Sequence, residues 1–324
     1  MIGSNLVKRL VGLGDRVVVA DDLSRGRLEY LEGDDGVPCI DLERDFHRFD
    51  LSIPGAIDSL LPEVDLVFHL ADVVGGIEYV FQHQGEIFRQ NLLINSNVIA
   101  SVRSQPVRGF VYVGTACSFP AHLQSGVDAR PLREEDLYPA APESSYGWSK
   151  LMGQYETELL EQESGMRTST LVLHNVYGTP TDFGLRTAQV IPALIRKAIN
   201  YPDEPYVVLG TGAQGRAFVH VDDAVDALIA TMERGLGQGI IQIGPSVCTS
   251  IRDVAELIVE ISGKDIAIEY DRTAPEGDRG RCADYGKAND VLGWTPSVSL
   301  RDGIERLYEW IAERSLERSA EAIA

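Results

Sequence analysis

Short runs of apolar, β-branched residues alternate along the chain with longer stretches whose apolar positions recur every three to four residues. Strands are predicted at Arg16–Ala20, Asp65–Leu70, Gly109–Gly114 and Arg167–Leu173, and helices at Asn5–Gly12, Ile87–Ser101 and Ser149–Gln162. Strands that are apolar on both faces and separated by amphipathic helices predict an α/β fold, with a parallel sheet covered on both sides. After about residue 178 the rhythm loosens under Gly, Pro and Asp. A last helix is predicted at about Leu300–Arg314. The division expected is residues 1–178 as a Rossmann-like nucleotide-binding domain and 179–324 as mainly a smaller substrate-binding lobe, with some segments returning to the sheet.

The start departs from this scheme. A helix pattern, Ile2-Gly3-Ser4-Asn5-Leu6-Val7, opens the chain with no strand before it. A nucleotide-binding βαβ unit needs a strand, a Gly-rich turn and then such a helix. Only the last Gly of that turn, Gly3, is present, whereas the second strand and its terminal acid, Asp21 or Asp22, are intact. The expectation is a sheet without its usual first strand. A trimmed start and a true loss of the cradle both explain it.

Composition narrows the function classes. The chain has 324 residues, is 44% hydrophobic and carries a net charge of −20, from 29 Lys and Arg against 49 Asp and Glu. Such acidity disfavours bulk attraction to nucleic acid or to an anionic membrane. No apolar run approaches a membrane span, and the first residues lack the order of a signal peptide. The four cysteines, Cys39, Cys117, Cys248 and Cys282, lie far apart without CxxC spacing, and no two of the six histidines have HxxxH spacing. Neither a disulfide framework nor a local metal motif is expected. A cytoplasmic enzyme or binding protein remains.

The strongest chemical signal is Tyr146-Gly147-Trp148-Ser149-Lys150. Tyr and Lys at i, i+4 share a helix face, where an ammonium can lower a phenol's pKa and ready it for proton transfer. Thr115, at the end of a predicted strand, would add a hydroxyl. Together with Asp21–Gly26, His69-Leu70-Ala71, Asn175–Gly178, Arg216–Asp223 and Leu292–Pro296, this segment resembles the extended short-chain dehydrogenase/reductase family of nucleotide-sugar enzymes.

Three further segments are most similar to the GDP-mannose 3,5-epimerase branch of that family: Ala71–Gly76, Thr115–Pro120 and Pro275–Arg281. The resemblance implies that Cys117 moves a proton beside a transient ketone, which suits a thiol because it titrates near neutrality. It also implies substrate contacts from Gly75, Asn175, Gln189, Lys197, Gln214, Arg216 and Arg281. Guanidinium groups fit a diphosphate because they offer a fork of donors and a permanent charge. At Gln189 that branch carries a titratable group, which glutamine is not. If NAD is used, Gly3, Asp21 and Asp50 fall at cofactor positions. A divalent ion, Mn or Mg, on the diphosphate would need too few carboxylates to be visible in the sequence.

Three functions follow. The incomplete cradle and Gln189 favour an isomerase of a GDP-hexose that works without hydride transfer, interconverting pyranose and furanose rings. The alternative is an NAD-dependent GDP-mannose 3,5-epimerase. The third is a non-catalytic sugar-nucleotide binder, which would not need Cys117, Tyr146 and Lys150 together. A homodimer is expected through the helices at 87–101 and 149–162, where this family commonly pairs.

Overall fold

The computed structural model describes residues 1–321 apart from Asp34, Arg186 and Pro275; the first residue of the Pro275–Arg281 segment thus lies outside the described residues. The strands are β1 (Val19–Asp21), β2 (Phe46–Arg48), β3 (Leu66–His69), β4 (Gly109–Thr115), β5 (Arg167–Leu173), β6 (Asn175–Tyr177), β7 (Val207–Leu209), β8 (Gly215–Arg216), β9 (Phe218–His220), β10 (Gly239–Ile243), β11 (Thr249–Ser250), β12 (Glu269–Asp271) and β13 (Gly280–Arg281). The helices are α1 (Ile2–Gly12), α2 (Ile77–Gln82), α3 (Gln84–Arg103), α4 (Ser145–Ser164), α5 (Val190–Asn200), α6 (Val221–Ala230), α7 (Ile251–Ser262), α8 (Gly286–Leu292) and α9 (Leu300–Glu321).

The main sheet has the order β10-β5-β4-β3, and each of its pairings is parallel. β1 and β2 form a separate parallel pair. This is the α/β, Rossmann-like arrangement expected from the strand–helix rhythm, and the first described element is the helix α1.

The two periodicities of β4 explain the layers. Val111 and Val113 point into one core with Leu6 and Leu10 of α1, Leu228 of α6 and Leu292 of α8. Phe110 and Tyr112 point the other way, against Val98, Ile99 and Val102 of α3 and Leu160 of α4. Side chains alternate across a strand, so a strand covered on both faces must be apolar throughout. Each fully buried Leu, Val or Phe contributes about 1.5–3 kcal/mol.

The C-terminal half has its own core, in which Ile191, Leu194 and Ile195 of α5 meet Val254 and Ile258 of α7 and Ile304, Leu307 and Ile311 of α9. Its strands are two or three residues long, in the sets β6-β9, β12-β7 and β11-β8-β13. α6, β10 and α8 return to the core of the main sheet. Two of the sequence motifs lock together there. The buried Asp223 carboxylate accepts hydrogen bonds from Ser297 N–H and Oγ (3.1 and 2.5 Å) and from Val298 N–H (3.1 Å), while Trp294 Nε1 donates to the Asp223 carbonyl (2.8 Å). These residues hold the chain rather than face a cleft.

Candidate active site

In parallel α/β sheets, ligands sit beyond the carboxyl ends of the strands. Asp21 ends β1, His69 ends β3 and Thr115 ends β4. Beyond Thr115 the chain makes a single 3-10 turn, Ala116–Ser118, whose start is capped by Thr115 Oγ1 accepting from Cys117 N–H at 3.3 Å. α4 begins against this turn. A Cβ on Gly147 would collide with the Cys117 carbonyl oxygen, so a glycine after Tyr146 is what lets the phenol and the thiol share one corner. Tyr146 hydrogen-bonds Thr115. Burial pushes the phenol well above its ordinary pKa, and the nearby Cys117 and Asp72 push in the same direction.

Cys117 Sγ accepts a hydrogen bond from Arg281 Nη1 at 2.7 Å, and Arg281 Nη2 donates to Asp278 at 2.5 Å. Both members of the Arg281–Asp278 pair are buried. Burial works against the Arg281 charge, but Cys117 and Asp278 outweigh it and hold the guanidinium pKa up. Arg281 Nε is buried without a hydrogen-bond partner. Strand register sets Arg216 directly beside Arg281. Arg216 is buried too, and its pKa is lowered to about 10, first by burial and then by the neighbouring Arg281 charge. Two adjacent buried guanidinium groups, with the Asp278 and Glu143 carboxylates acting on both, form a cradle for an anion.

Lys150 lies in a different environment from the one its spacing predicts. Its ammonium is in a buried ion pair with Asp72, hydrogen-bonded to Oδ2, and sits 4.5 Å from the centre of the Tyr112 ring. Asn95 Nδ2 approaches Asp72 Oδ1 at 3.4 Å, and Asn95 Oδ1 bonds His69 Nε2 at 2.8 Å. Burial and then Lys150 lower the His69 pKa to about 3. Burial raises the Asp72 pKa, against the pull of Lys150. Burial, and then Cys117 and Asp72, raise the Tyr146 pKa, a shift opposite to the one expected from Lys150 alone. Asp72 had no role from sequence spacing. The available signal was the general need of a buried lysine for a counter-charge.

The other sequence candidates divide. Gln214 is buried with Oε1 unpartnered, two residues before Arg216. Asn175 begins β6, and its N–H donates to the Ala217 carbonyl at 3.0 Å. Gly75 lies in the loop after β3, where a Cβ would strike the Tyr79 ring. Gln189 is the exposed residue preceding α5. Lys197 donates to the Val207 carbonyl at 2.6 Å, and burial lowers its pKa. Among the described residues, no group of three or more His, Cys, Asp or Glu side chains is arranged to hold a metal ion, and no helix is long and apolar enough to cross a membrane.

The residues present fit a dinucleotide at several points. The first turn of α1 has no side-chain cap and no acidic residue, which leaves a helix N-terminus suited to phosphate. Gly3 lies in that turn with open space around it. Asp21 ends β1 and bonds Leu23 N–H at 2.7 Å; Asp50, just past β2, bonds Ser52 N–H at 2.9 Å.

The parallel sheet and the Tyr–Lys helix packed against β4 and β5 together define a Rossmann-type scaffold. The model of the NAD dependent epimerase/dehydratase family matches residues 1–244, and the chain belongs to that family. GDP-mannose 3,5-epimerase 1 of Oryza sativa subsp. indica is 28% identical over 313 residues, covering 97% of this chain and 79% of the relative. GDP-L-fucose synthase 1 of Arabidopsis thaliana is 30% identical over 272 residues, covering 81% and 82%. Among solved structures, UDP-glucose 4-epimerase of Thermotoga maritima with UDP-glucose superposes with a TM-score of 0.85 at 25% identity, over 97% of this chain and 96% of that one. UDP-glucuronic acid 4-epimerase of Bacillus cereus in complex with UDP-glucuronic acid and NAD has the same fold, with a TM-score of 0.80 at 24% identity over 97% and 96%.

Proposed function

We propose that this chain is an NAD-dependent epimerase of a GDP-activated hexose, of the 3,5-epimerase type. The observation that carries the reading is the Cys117 thiol, hydrogen-bonded to Arg281 at the mouth of the corner that also holds Thr115 and Tyr146. The curated relatives support this reading better than they support the ring isomerase favoured by the sequence alone. In this reading residues 1–178 carry the dinucleotide side and 179–324 mainly the sugar-nucleotide side.

NAD, when bound, supplies the reversible oxidation of the sugar alcohol next to the inverted carbons; Gly3, Asp21 and Asp50 would hold it. Tyr146 exchanges the hydroxyl proton of that alcohol, with Thr115 as its hydrogen-bond partner. Cys117 takes a proton from the carbon beside the carbonyl, or returns one, and the Arg281 guanidinium, donating to its sulfur at 2.7 Å, holds it in place. Arg216 and Arg281 hold the diphosphate, and Gln189 can hydrogen-bond a sugar hydroxyl without titrating. Arg281→Ala is expected to weaken GDP binding by about 1.5–3 kcal/mol, the range for a hydrogen bond to a charged group. Calorimetry checks this, with Arg281→Lys as the variant that keeps a counter-charge for the buried Asp278.

Pyranose–furanose isomerisation without hydride transfer is the second reading. Gln189 and the capture of Lys150 by Asp72 favour it. Turnover in deuterium oxide separates the two. The epimerase incorporates deuterium at C3 or C5 and depends on NAD; the ring isomerase incorporates none on carbon and works without it. The family resemblance implies pairing through α3 and α4, and a homodimer is proposed here. Light scattering is expected to give twice the 35.5 kDa chain mass.

A further inference from the structure

Arg25 has no part in the chemistry above, yet it joins three loops. It lies in the turn that follows β1, the turn that begins at Asp21. Its Nη1 donates to the Val74 carbonyl, and its Nη2 donates to the Thr187 carbonyl at 3.3 Å and lies 3.6 Å from Asp182 Oδ2. Val74 immediately precedes Gly75, and Thr187 stands shortly before Gln189. The guanidinium thus grips the chain beside two of the residues that the family resemblance gives to the substrate.

The turn that carries Arg25 is folded back on Asp21. Leu23 has a φ of 59°, in the left-handed region that residues with a Cβ rarely adopt. The bend is held by Asp21 Oδ1, which accepts from Leu23 N–H at 2.7 Å, and by Asp22 Oδ1, which accepts from Ser24 N–H at 2.8 Å. Gly26 closes the turn against the same acid, since a Cβ there would stand 3.1 Å from Asp21 Oδ1. The carboxylate offered to a dinucleotide and the arginine that reaches the sugar side therefore share one turn.

A second tie runs the same way. Asn5 Nδ2, near the start of α1, donates to the Thr179 carbonyl at 2.8 Å. The two sugar-side segments also approach each other, because a Cβ on Gly76 would stand 3.9 Å from the Ala188 carbonyl oxygen. Both elements that would hold the dinucleotide thus reach the segment after β6, and Arg25 ties the loop after β3 to it as well.

We propose that Arg25 is a positioning residue, a latch through which a dinucleotide at the β1 end and the sugar of a GDP-hexose tighten each other's binding. The inference rests on the reading of the site given above. Ordering a loop costs conformational entropy, and a first ligand that fixes the loop spares the second that cost. With a dinucleotide at Asp21, the turn that carries Arg25 is fixed, and Val74 and Thr187 are held where Gly75 and Gln189 meet the sugar. Linkage makes the effect reciprocal. The Arg25 side chain is 40% exposed and that of Asp182 45%, so their ion pair adds little to stability and its removal leaves a folded chain.

Calorimetry on the intact protein tests this, with NAD, GDP-mannose and GDP as probes. NAD is expected to tighten GDP-mannose binding about five-fold or more, and GDP-mannose to tighten NAD binding by the same factor. GDP, which lacks the sugar, should show little of this coupling. Arg25→Ala should abolish the coupling and leave GDP affinity and the urea midpoint unchanged. Arg25→Lys, which keeps a cation for Asp182, should restore part of it. Hydrogen exchange of the free protein adds a readout without any ligand. In Arg25→Ala the peptides that contain Val74 and Thr187 should exchange faster by roughly three-fold or more, while those of β4 stay as they were. Coupling that survives Arg25→Ala, equal coupling for GDP and GDP-mannose, or exchange indifferent to the substitution overturns the proposal. NAD that binds without coupling sinks the latch alone, whereas NAD that does not bind the unaltered protein sinks the assigned reaction and the latch together.

Discussion

Cys117→Ala is expected to lower kcat/KM by about 10²–10⁴-fold, the usual contribution of one positioned proton-transfer group, with GDP affinity unchanged. The thiol is the titratable group that both faces the Tyr146 corner and is held by a buried cation, so no neighbour can take its place. Cys117→Ser separates packing from proton transfer. It keeps the size and a hydrogen-bond acceptor for Arg281, but a hydroxyl does not ionise near neutral pH, so its activity should fall close to that of the alanine variant. Steady-state kinetics, with calorimetry for GDP, checks both. Full deuterium incorporation at C3 and C5 by Cys117→Ala would remove the thiol from the mechanism and leave it as a packing residue at a strand end.

What was legible in the sequence follows from how local each feature is. β3, β4 and β5 stand out because both faces are covered, which makes each a continuous apolar run. α3 and α4 stand out because each spans several turns over one core. β6, β8, β11 and β13 have two or three residues each, too few for a period, and they are strands only because distant segments pair with them. The site divides in the same way. Tyr146 and Lys150 lie on one helix face, so spacing reveals them, whereas Cys117, one turn beyond Thr115, was marked by the family resemblance of its segment.

The contacts that set their chemistry cross the chain. Arg281 reaches Cys117 over a separation of 164 residues, and Lys150 reaches Asp72 over 78. A family motif can mark such residues, but neither periodicity nor spacing says which cation meets which anion. The YxxxK spacing suggested a lysine working on its tyrosine. Burial made that lysine choose a carboxylate instead, because an ammonium taken out of water needs a counter-charge more than a phenol needs activation.

That choice leads to the second large effect, at Asp72. Asp72→Asn leaves the Lys150 ammonium buried without its partner, and breaking a buried pair from one side costs about 3–5 kcal/mol of stability. Urea denaturation measures the loss, and adding Lys150→Met should recover part of it by removing the orphaned charge. The same variant moves a titration. Tyr146 is hydrogen-bonded to Thr115 and faces Cys117, Asp72 and Arg281; burial raises its pKa most, and the nearby Cys117 and Asp72 raise it further. Removing the Asp72 charge makes the phenolate easier to form, so Tyr146 gives up its proton at lower pH. Whether the phenol acts as acid or base, the limb of the pH–kcat/KM profile that belongs to it should move toward acid in Asp72→Asn. A limb that stays in place, or moves toward alkali, would show that Asp72 only anchors Lys150 and has no hold on the tyrosine.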